Sequence, residues 1–372
     1  MSVPEAALRS ARVTVDLARL GHNFAQVLEL ARRPVMPVLK ADAYGHGAVR
    51  CALTLEALGA PRFAVAYVEE GVALRQGGVR APIVVMAPFE DNQVEALDQF
   101  GLTPVVSTPA TLERVLRRGA GRPPLAVHVK VDTGMSRLGF SARAALDAAR
   151  RLHAAPGVTL EGVMTHLASA DEDDAFTEGQ LDLFDAFLAD LHRAGLRPPW
   201  VHAANSAGLA RLRPTHTLVR PGLLLFGLET RPLGPRLDLR PVMTVSARVA
   251  FIKEVPAGTR VSYGGRFTAG RPSRIATIPL GYADGVPRTA GMRERGAFGL
   301  AGGRAPVTGN VCMDTTMVDV TGLPQAREGD EAVLFGDAPT AWDVADWAGT
   351  NVWQVLTGIS ERVPHRYLGA EP

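Results

Sequence analysis

A chain of 372 residues with 47% apolar, 21% charged and 6% aromatic residues exceeds the usual size of one domain and is far from disordered or fibrous compositions. The net charge of +2 is spread without a basic stripe, which argues against nucleic acid, and Cys51 and Cys312 alone make neither a disulfide framework nor a zinc site. No window approaches a membrane span and the N-terminal segment lacks a leader pattern, so the expectation is a cytoplasmic protein acting on a small molecule, without metal.

In chain order, Arg12–Asp16 reads as a strand able to pair with either of two domains. Apolar, β-branched runs follow at Val35–Lys40, Phe63–Val68, Ile83–Ala87, Leu102–Val106, Leu125–Asp132, Val158–Thr165, Trp200–Ala204 and Leu218–Phe226. Helical patterns lie between most of them, including Ala48–Leu58, Val94–Phe100, Leu112–Arg118 and Arg143–Ala154. Leu181, Phe184, Leu188 and Leu191 form an apolar stripe, opened by a Thr177/Gln180 capping spacing and closed by Gly195. About eight strands alternating with helices predict an α/β fold, an N-terminal (β/α)8 TIM-type barrel over residues 12–235, with an open doubly wound sheet as the alternative. Beyond it, runs such as Val245–Val255, Arg274–Pro279, Thr316–Val320 and Ala332–Phe335 predict a C-terminal, mostly β domain over residues 236–372, with which residues 1–16 can pair. Arg231–Pro235 is the expected junction and Ala341–Trp347 a helical interruption.

Of the 40 basic residues only Lys40, Lys130 and Lys253 are lysine, and the other 37 are arginine. Arginine stays protonated and cannot act as a primary-amine nucleophile, so the lysines merit inspection first. VLKADAYGHG places Lys40 at the C-terminal end of the first predicted strand, where barrels of this kind carry catalytic groups. An amine there can condense with an aldehyde, while the competing reading is a strand-end lysine paired with Asp42. After the seventh strand HAANSAG supplies Asn205 and Ser206 at an expected helix N-cap, and at the eighth RPGLLL exposes the N–H groups of Gly222 and Leu223 beside Arg220. Together they offer an anion site suited to a phosphate. Taken singly, Ser206 reads as an ordinary cap and Arg220 as a surface charge.

VLKADAYGHG, KVDTGMSRLGF, THLASAD, HAANSAG, VRPGLLLFG, VSYGGRF, GYADGVPR, NVCMD and RVPHRY occur in one order over nearly the whole chain. On these nine motifs the sequence resembles the bacterial alanine racemase family. The resemblance implies pyridoxal 5'-phosphate held as a Schiff base on Lys40, which also serves the D face of the substrate Cα. It implies that Tyr263, from the partner subunit of a head-to-tail homodimer, serves the L face with His166 as its neighbour. It further implies interconversion of L- and D-alanine, with D-alanine supplied to peptidoglycan. Arg220 resembles the contact of the pyridine nitrogen, while Tyr44, Ser206, Gly222 and Leu223 resemble the phosphate contacts. Lys130 resembles a lysine carbamylated by CO₂ that orients Arg137, and Arg137 and Met313 resemble the substrate contacts. Asp171, Tyr282, Arg288, Met313 and Asp314 resemble a polar substrate corridor. Without the resemblance, Tyr263 is a turn tyrosine, Lys130 the partner of Asp132, and His166 a buried structural histidine.

Three positions depart from the family pattern. Trp353 replaces a tyrosine that touches the phosphate and limits the pocket, Asn310 replaces a common arginine in the corridor, and Phe226 replaces a frequent tyrosine. These bear on substrate breadth. The rival readings are a pyridoxal-phosphate decarboxylase of the same two-domain plan, which lacks the VSYGG tyrosine, and a barrel-only cofactor carrier, which lacks the C-terminal domain.

Overall fold

The computed structural model describes residues 9–118, 122–210, 216–229, 237–292 and 296–369. It divides into a barrel unit, Arg19–Ala43 with Gly47–Arg240, and a β unit, Met1–Ala18 with Tyr44–His46 and Pro241–Ala370. The expected junction Arg231–Pro235 lies outside the described residues. The first strand, β1 (Arg12–Asp16), belongs to the β unit.

In the barrel unit β2 (Phe63–Val65), β3 (Ile83–Val85), β4 (Leu102–Val106), β5 (Leu125–Lys130), β6 (Val158–Met164) and β7 (Trp200–His202) pair in parallel in chain order. The predicted first and eighth strands close this ring without becoming regular strands. Met36 N–H donates to Val219 O, Val38 N–H to Pro221 O, Leu39 N–H to Ala64 O and Arg220 N–H to Ala204 O. Pro34, Pro37 and Pro221 have no N–H to give, so the ladder is interrupted there while the ring stays closed. Met36, Val38, Ala64, Val84, Val105, Met164 and Leu218, drawn from successive segments of the ring, meet in one buried cluster. The fold is a TIM-type barrel followed by a mostly β part.

Several local expectations are corrected. Leu223–Phe226 is a 3₁₀ turn, not the end of a strand, and Phe63–Val68 is strand only to Val65, with the helix Val68–Gln76 beginning at once. The helix carrying the 181–191 stripe runs from Asp174 to Arg193 and is capped by Asp173, whose carboxylate accepts the Phe176 N–H at 2.9 Å. Thr177 and Gln180 are therefore buried inside this helix, not its start.

In the β unit a six-stranded sheet has the order β14 (Gly303–Pro306), β13 (Ala297–Leu300), β16 (Glu331–Phe335), β8 (Met243–Arg248), β1 and β17 (His365–Leu368). β1 pairs antiparallel with β8 and parallel with β17. A second sheet joins β15 (Thr316–Asp319), β12 (Ser273–Ile278) and β9 (Phe251–Val255), and β10 (Arg260–Val261) pairs with β11 (Phe267–Thr268). The run predicted over Val245–Val255 is thus two strands. It breaks where Val249 N–H donates to Asp330 O and Ala250 N–H to Thr277 O, so the chain leaves one sheet and enters the next. The helix Ala341–Ala348 is capped by Thr340 and Asp343. Among the described residues no helix is long and apolar enough to cross a membrane.

Candidate active site

Lys40 does not end a strand; it opens a left-handed turn. Ala41, Asp42, Ala43 and Tyr44 have φ of 51, 52, 55 and 56°. L-residues pay about 1–2 kcal/mol each in this region, so four in succession require external support. Glu70 supplies much of it, accepting the Ala41 N–H at 2.6 Å while its other oxygen accepts Ala66 and Tyr67 N–H at 2.7 and 3.0 Å. Ala43 N–H donates to Leu39 O, and the Asp42 carboxylate accepts Ala48 N–H at 2.6 Å. Asp42 is committed to the backbone, and Lys40 has no hydrogen bond or ion pair among the described residues. Burial, then the positive charge of Arg137, lower the Lys40 pKa, with Glu70 opposing.

Arg220 is only 2% exposed and is not a surface charge. Its Nη2 donates to Thr165 O at 2.9 Å and Ala203 O at 3.0 Å and lies 3.3 Å from His166 Nδ1, while Nη1 donates to His202 Nδ1 at 2.9 Å. Nε–H has no acceptor among the described residues. Burial without a directly bonded carboxylate lowers the Arg220 pKa to about 9. Because a guanidinium only donates, His202 Nδ1 must accept, and its proton resides on Nε2. His202 Nε2 meets His128 Nδ1 at 2.7 Å, and His128 Nε2 meets Glu161 Oε2 at 3.1 Å. The same logic puts the His128 proton on Nε2, donated to Glu161. Burial first lowers both imidazole pKa values; at His128 Glu161 opposes it, and nearby guanidinium charge adds to it at both. The relay of one-way hydrogen bonds ends on Glu161, held by Arg62 at 3.0 Å through both oxygens.

Backbone geometry creates room for this relay. The β5–β6 register skips Glu161, a bulge that re-aims its side chain. Gly162 stands opposite His128, and a Cβ on it would lie 2.6 Å from the imidazole. Burial by itself would raise the Glu161 pKa, but the His128 and Arg62 hydrogen bonds outweigh it and hold the carboxyl at about 2. A depressed carboxyl stabilises the fold above its unfolded value and loses that contribution as pH falls through the folded one. Glu161→Gln is therefore expected to lower stability at pH 7 by about 1–3 kcal/mol. Denaturant titrations should show this difference shrinking as pH falls from about 4.5 toward about 2.

Lys130, at the end of β5, is buried, and its side-chain amine has no hydrogen bond or ion pair among the described residues. Burial, then Arg137 and Arg220, lower its pKa to about 8 against the pull of Asp132. Asp132 instead accepts Gly134 and Ser136 N–H at 3.0 and 3.1 Å, shaping the turn that leads to Arg137. His166 follows β6 and feels the positive charge of Arg220, Lys130, Arg137 and Lys40, which with burial as the larger cause keep its pKa well below the ordinary value. Gln180 braces this loop by donating to His166 O at 3.2 Å and accepting Ala168 N–H at 2.8 Å.

Asn205 caps the 3₁₀ helix Ala207–Ala210 by accepting the Gly208 N–H at 2.8 Å. Ser206 does something else: its Oγ accepts Gly222 N–H at 3.0 Å and Leu224 N–H at 3.5 Å, tying the loops after the seventh and eighth segments together. Arg137 is exposed and Asp171 half-buried in the same unit.

The remaining candidates lie in the β unit. Tyr44 is buried, and its carbonyl accepts from His46 Nδ1 at 3.0 Å. Tyr263, in the turn between β10 and β11, is 73% exposed. Tyr282 N–H donates to Cys312 O and Ala283 N–H to Met313 O, which brings Tyr282, Met313 and Asp314 together. Gly281 permits this approach, since a Cβ there would lie 2.2 Å from Met313 O. Asp314 pairs with Arg362 at 2.6 Å, and Arg288 is exposed. Trp353 sits on the helix Val352–Thr357 and meets Trp342 edge-on at 6.3 Å.

Sequence reading missed Glu70, Arg62, His128, Glu161, Gln180 and His202. Gln180 carried a signal but was read as a cap, whereas the others gain meaning only from strand register.

Known proteins share this plan. The alanine racemase N-terminal domain matches residues 15–230 and the alanine racemase C-terminal domain residues 242–367. The chain is 41% identical over 363 residues to the alanine racemase of Halothermothrix orenii, covering 95% of each, and 42% identical over 382 residues to that of Sorangium cellulosum, covering 97% and 99%. The alanine racemase from D-cycloserine-producing Streptomyces lavendulae superposes with a TM-score of 0.90 at 35% identity, over 100% of this chain and 99% of that one. The chain belongs to the alanine racemase family, whose members are isomerases.

Proposed function

We propose that this protein interconverts L- and D-alanine using pyridoxal 5'-phosphate and two bases, Lys40 on the D face and Tyr263 of the partner subunit on the L face. The observation that carries the reading is the primary amine of Lys40, unpaired among the described residues and lowered in pKa, in a cluster with His166, Arg137, Lys130 and Arg220. The donor set suits the cofactor. Lys40 supplies the amine that would hold it, Ser206 with the N–H groups around Gly222 and Leu223 the phosphate cradle, and the Nε–H of Arg220 a donor for the pyridine nitrogen. Tyr44, Asn205 and Trp353 complete its surroundings in this reading. When bound, pyridoxal phosphate withdraws electrons from the substrate Cα and makes its proton labile.

The chain's own groups then divide the work. Inversion requires a proton removed at one face of Cα and returned at the other, so one base is insufficient. Lys40 Nζ, with its pKa lowered, exchanges a proton at the D face. Tyr263 Oη serves the L face, and its 73% exposure in a single chain supports delivery across a homodimer interface. His166 Nδ1 accepts from Arg220, which leaves its proton on Nε2 as a hydrogen-bond donor facing the reaction site in this reading. Arg137 and Met313 hold the substrate, while Asp171, Tyr282, Arg288 and Asp314 line its approach. The functional division is residues 12–235 for the cofactor and 236–372 for the partner-facing base, in a cytoplasmic enzyme that supplies D-alanine to peptidoglycan.

L-Alanine incubated with the purified protein in deuterium oxide tests the reading: D-alanine bearing Cα deuterium is expected. Release of carbon dioxide, or cofactor colour without Cα exchange, would overturn it.

Lys130 is proposed to be carbamylated. Its neutral amine attacks CO₂, forming an N–C bond and losing one proton, and the resulting anion orients Arg137. The neutral fraction grows as pH rises through about 8, so occupancy should rise over that range. Lys130→Ala is expected to reduce kcat/KM by about tenfold or more, with partial recovery on adding a short carboxylic acid. Unchanged kinetics in the variant would remove the role.

A further inference from the structure

We propose that Asn310 is the positioning residue of the Tyr263 base, holding the strained turn that presents the phenol; this rests on the assignment of Tyr263 above. Ser262 has φ 66° and ψ −179°, a region that L-residues rarely occupy, and Gly264 and Gly265 follow with φ of 71 and 49°. Such a turn persists only if its surroundings over-determine it. Arg260 donates to the Gly264 and Gly265 carbonyls at the turn's far end, and two hydrogen bonds shared with Asn310 hold its near end, where Tyr263 stands. Ser262 Oγ donates to the backbone oxygen of Asn310 at 2.6 Å, and Asn310 Nδ2 donates to the Tyr263 carbonyl at 2.8 Å. The bonds bracket the Ser262–Tyr263 peptide from both sides.

The neighbouring backbone is shaped for this contact. Gly309 has φ 78°, and a Cβ there would sit 2.7 Å from Val261 O and 3.0 Å from the Ser262 side chain, so only glycine lets the two segments approach. Asn310 is 8% exposed, whereas Tyr263 beside it is 73% exposed. Asn310 Oδ1 is buried without a hydrogen bond among the described residues. An apolar side chain would avoid that desolvation cost, so the amide's contribution lies in its Nδ2 donor. Asn310 therefore acts through Tyr263, fixing where the phenol stands instead of altering corridor charge.

Asn310→Asp tests this with a residue of nearly the same shape that replaces the donor by an oxygen facing a carbonyl oxygen. In the cofactor-loaded enzyme kcat is expected to fall by about tenfold with KM within about twofold of wild type. In deuterium oxide, D-alanine should acquire Cα deuterium without inversion more often than in the wild type, because Lys40 still exchanges its proton while Tyr263 is misplaced. Independently of activity, backbone amides of residues 260–268 should exchange faster with deuterium by mass spectrometry. Adding Asn310→Asp to Tyr263→Phe should cause no further loss. Wild-type partition and wild-type amide exchange in Asn310→Asp would overturn the inference whatever Tyr263→Phe shows. Full activity of Tyr263→Phe would instead sink the two-base reading, while amide exchange still reports on the brace.

Discussion

Lys40→Ala is expected to lower racemisation on the order of 10⁴-fold or more, because in the proposed mechanism one side chain both holds the cofactor and exchanges the D-face proton. Lys40→Arg should fail to the same degree. A guanidinium keeps the positive charge but is neither a primary amine nor readily neutral. The environment of Lys40 supports the size of the effect: Asp42, the nearest candidate partner in sequence, is engaged by the Ala48 N–H, and burial with Arg137 lowers the amine's pKa. Lys130 cannot substitute, since it ends β5 instead of opening the left-handed turn and serves Arg137 in the proposed arrangement. A second readout avoids dependence on turnover. Borohydride treatment of loaded wild-type protein followed by peptide mapping should attach the cofactor mass to residue 40, and the alanine variant should show none. Retention of activity within about tenfold in Lys40→Ala would refute the assignment.

Tyr263→Phe is expected to cost about 10²–10⁴-fold in kcat/KM, or about 3–5 kcal/mol of transition-state stabilisation. The two enantiomers have equal free energy, so kcat/KM must fall equally in both directions, and a comparison of forward and reverse rates is uninformative. Isotope exchange is informative. With Lys40 intact, D-alanine should still exchange its Cα proton with deuterium oxide, whereas L-alanine should exchange little. Equal exchange from both enantiomers, or full racemisation, would show that Tyr263 is not the L-face base. Loss of folding is not expected to confuse the result, because the phenol is exposed and the change removes one hydroxyl.

In the proposed arrangement, substrate breadth turns on Trp353. Indole is larger than the phenol usual at this place and offers one N–H without an acceptor. The edge contact with Trp342 restricts the ring's freedom to turn aside.

Residue type and local spacing determined much of this. Apolar runs separated by amphipathic stretches announced the barrel, and the change to short strands after about residue 235 announced the β part. The scarcity of lysine drew attention to Lys40, Lys130 and Lys253 on chemical grounds, since arginine cannot replace a neutral amine, and position and the family resemblance then chose among them. Ordered motifs identified the family. What sequence could not carry is whatever depends on register and on which groups burial leaves unpaired. The left-handed turn after Lys40 depends on Glu70, 29 residues from Ala41, and the Ser206 hydroxyl that read as a cap instead accepts the Gly222 N–H. The relay from Arg220 to Glu161 joins His128 and His202 across 74 residues and requires a bulge at Glu161 and a glycine opposite His128. Such hydrogen bonds follow from three-dimensional proximity in a buried, low-dielectric interior, where each donor must find an acceptor. Sequence named the amine, while tertiary structure decided that it stands unpaired.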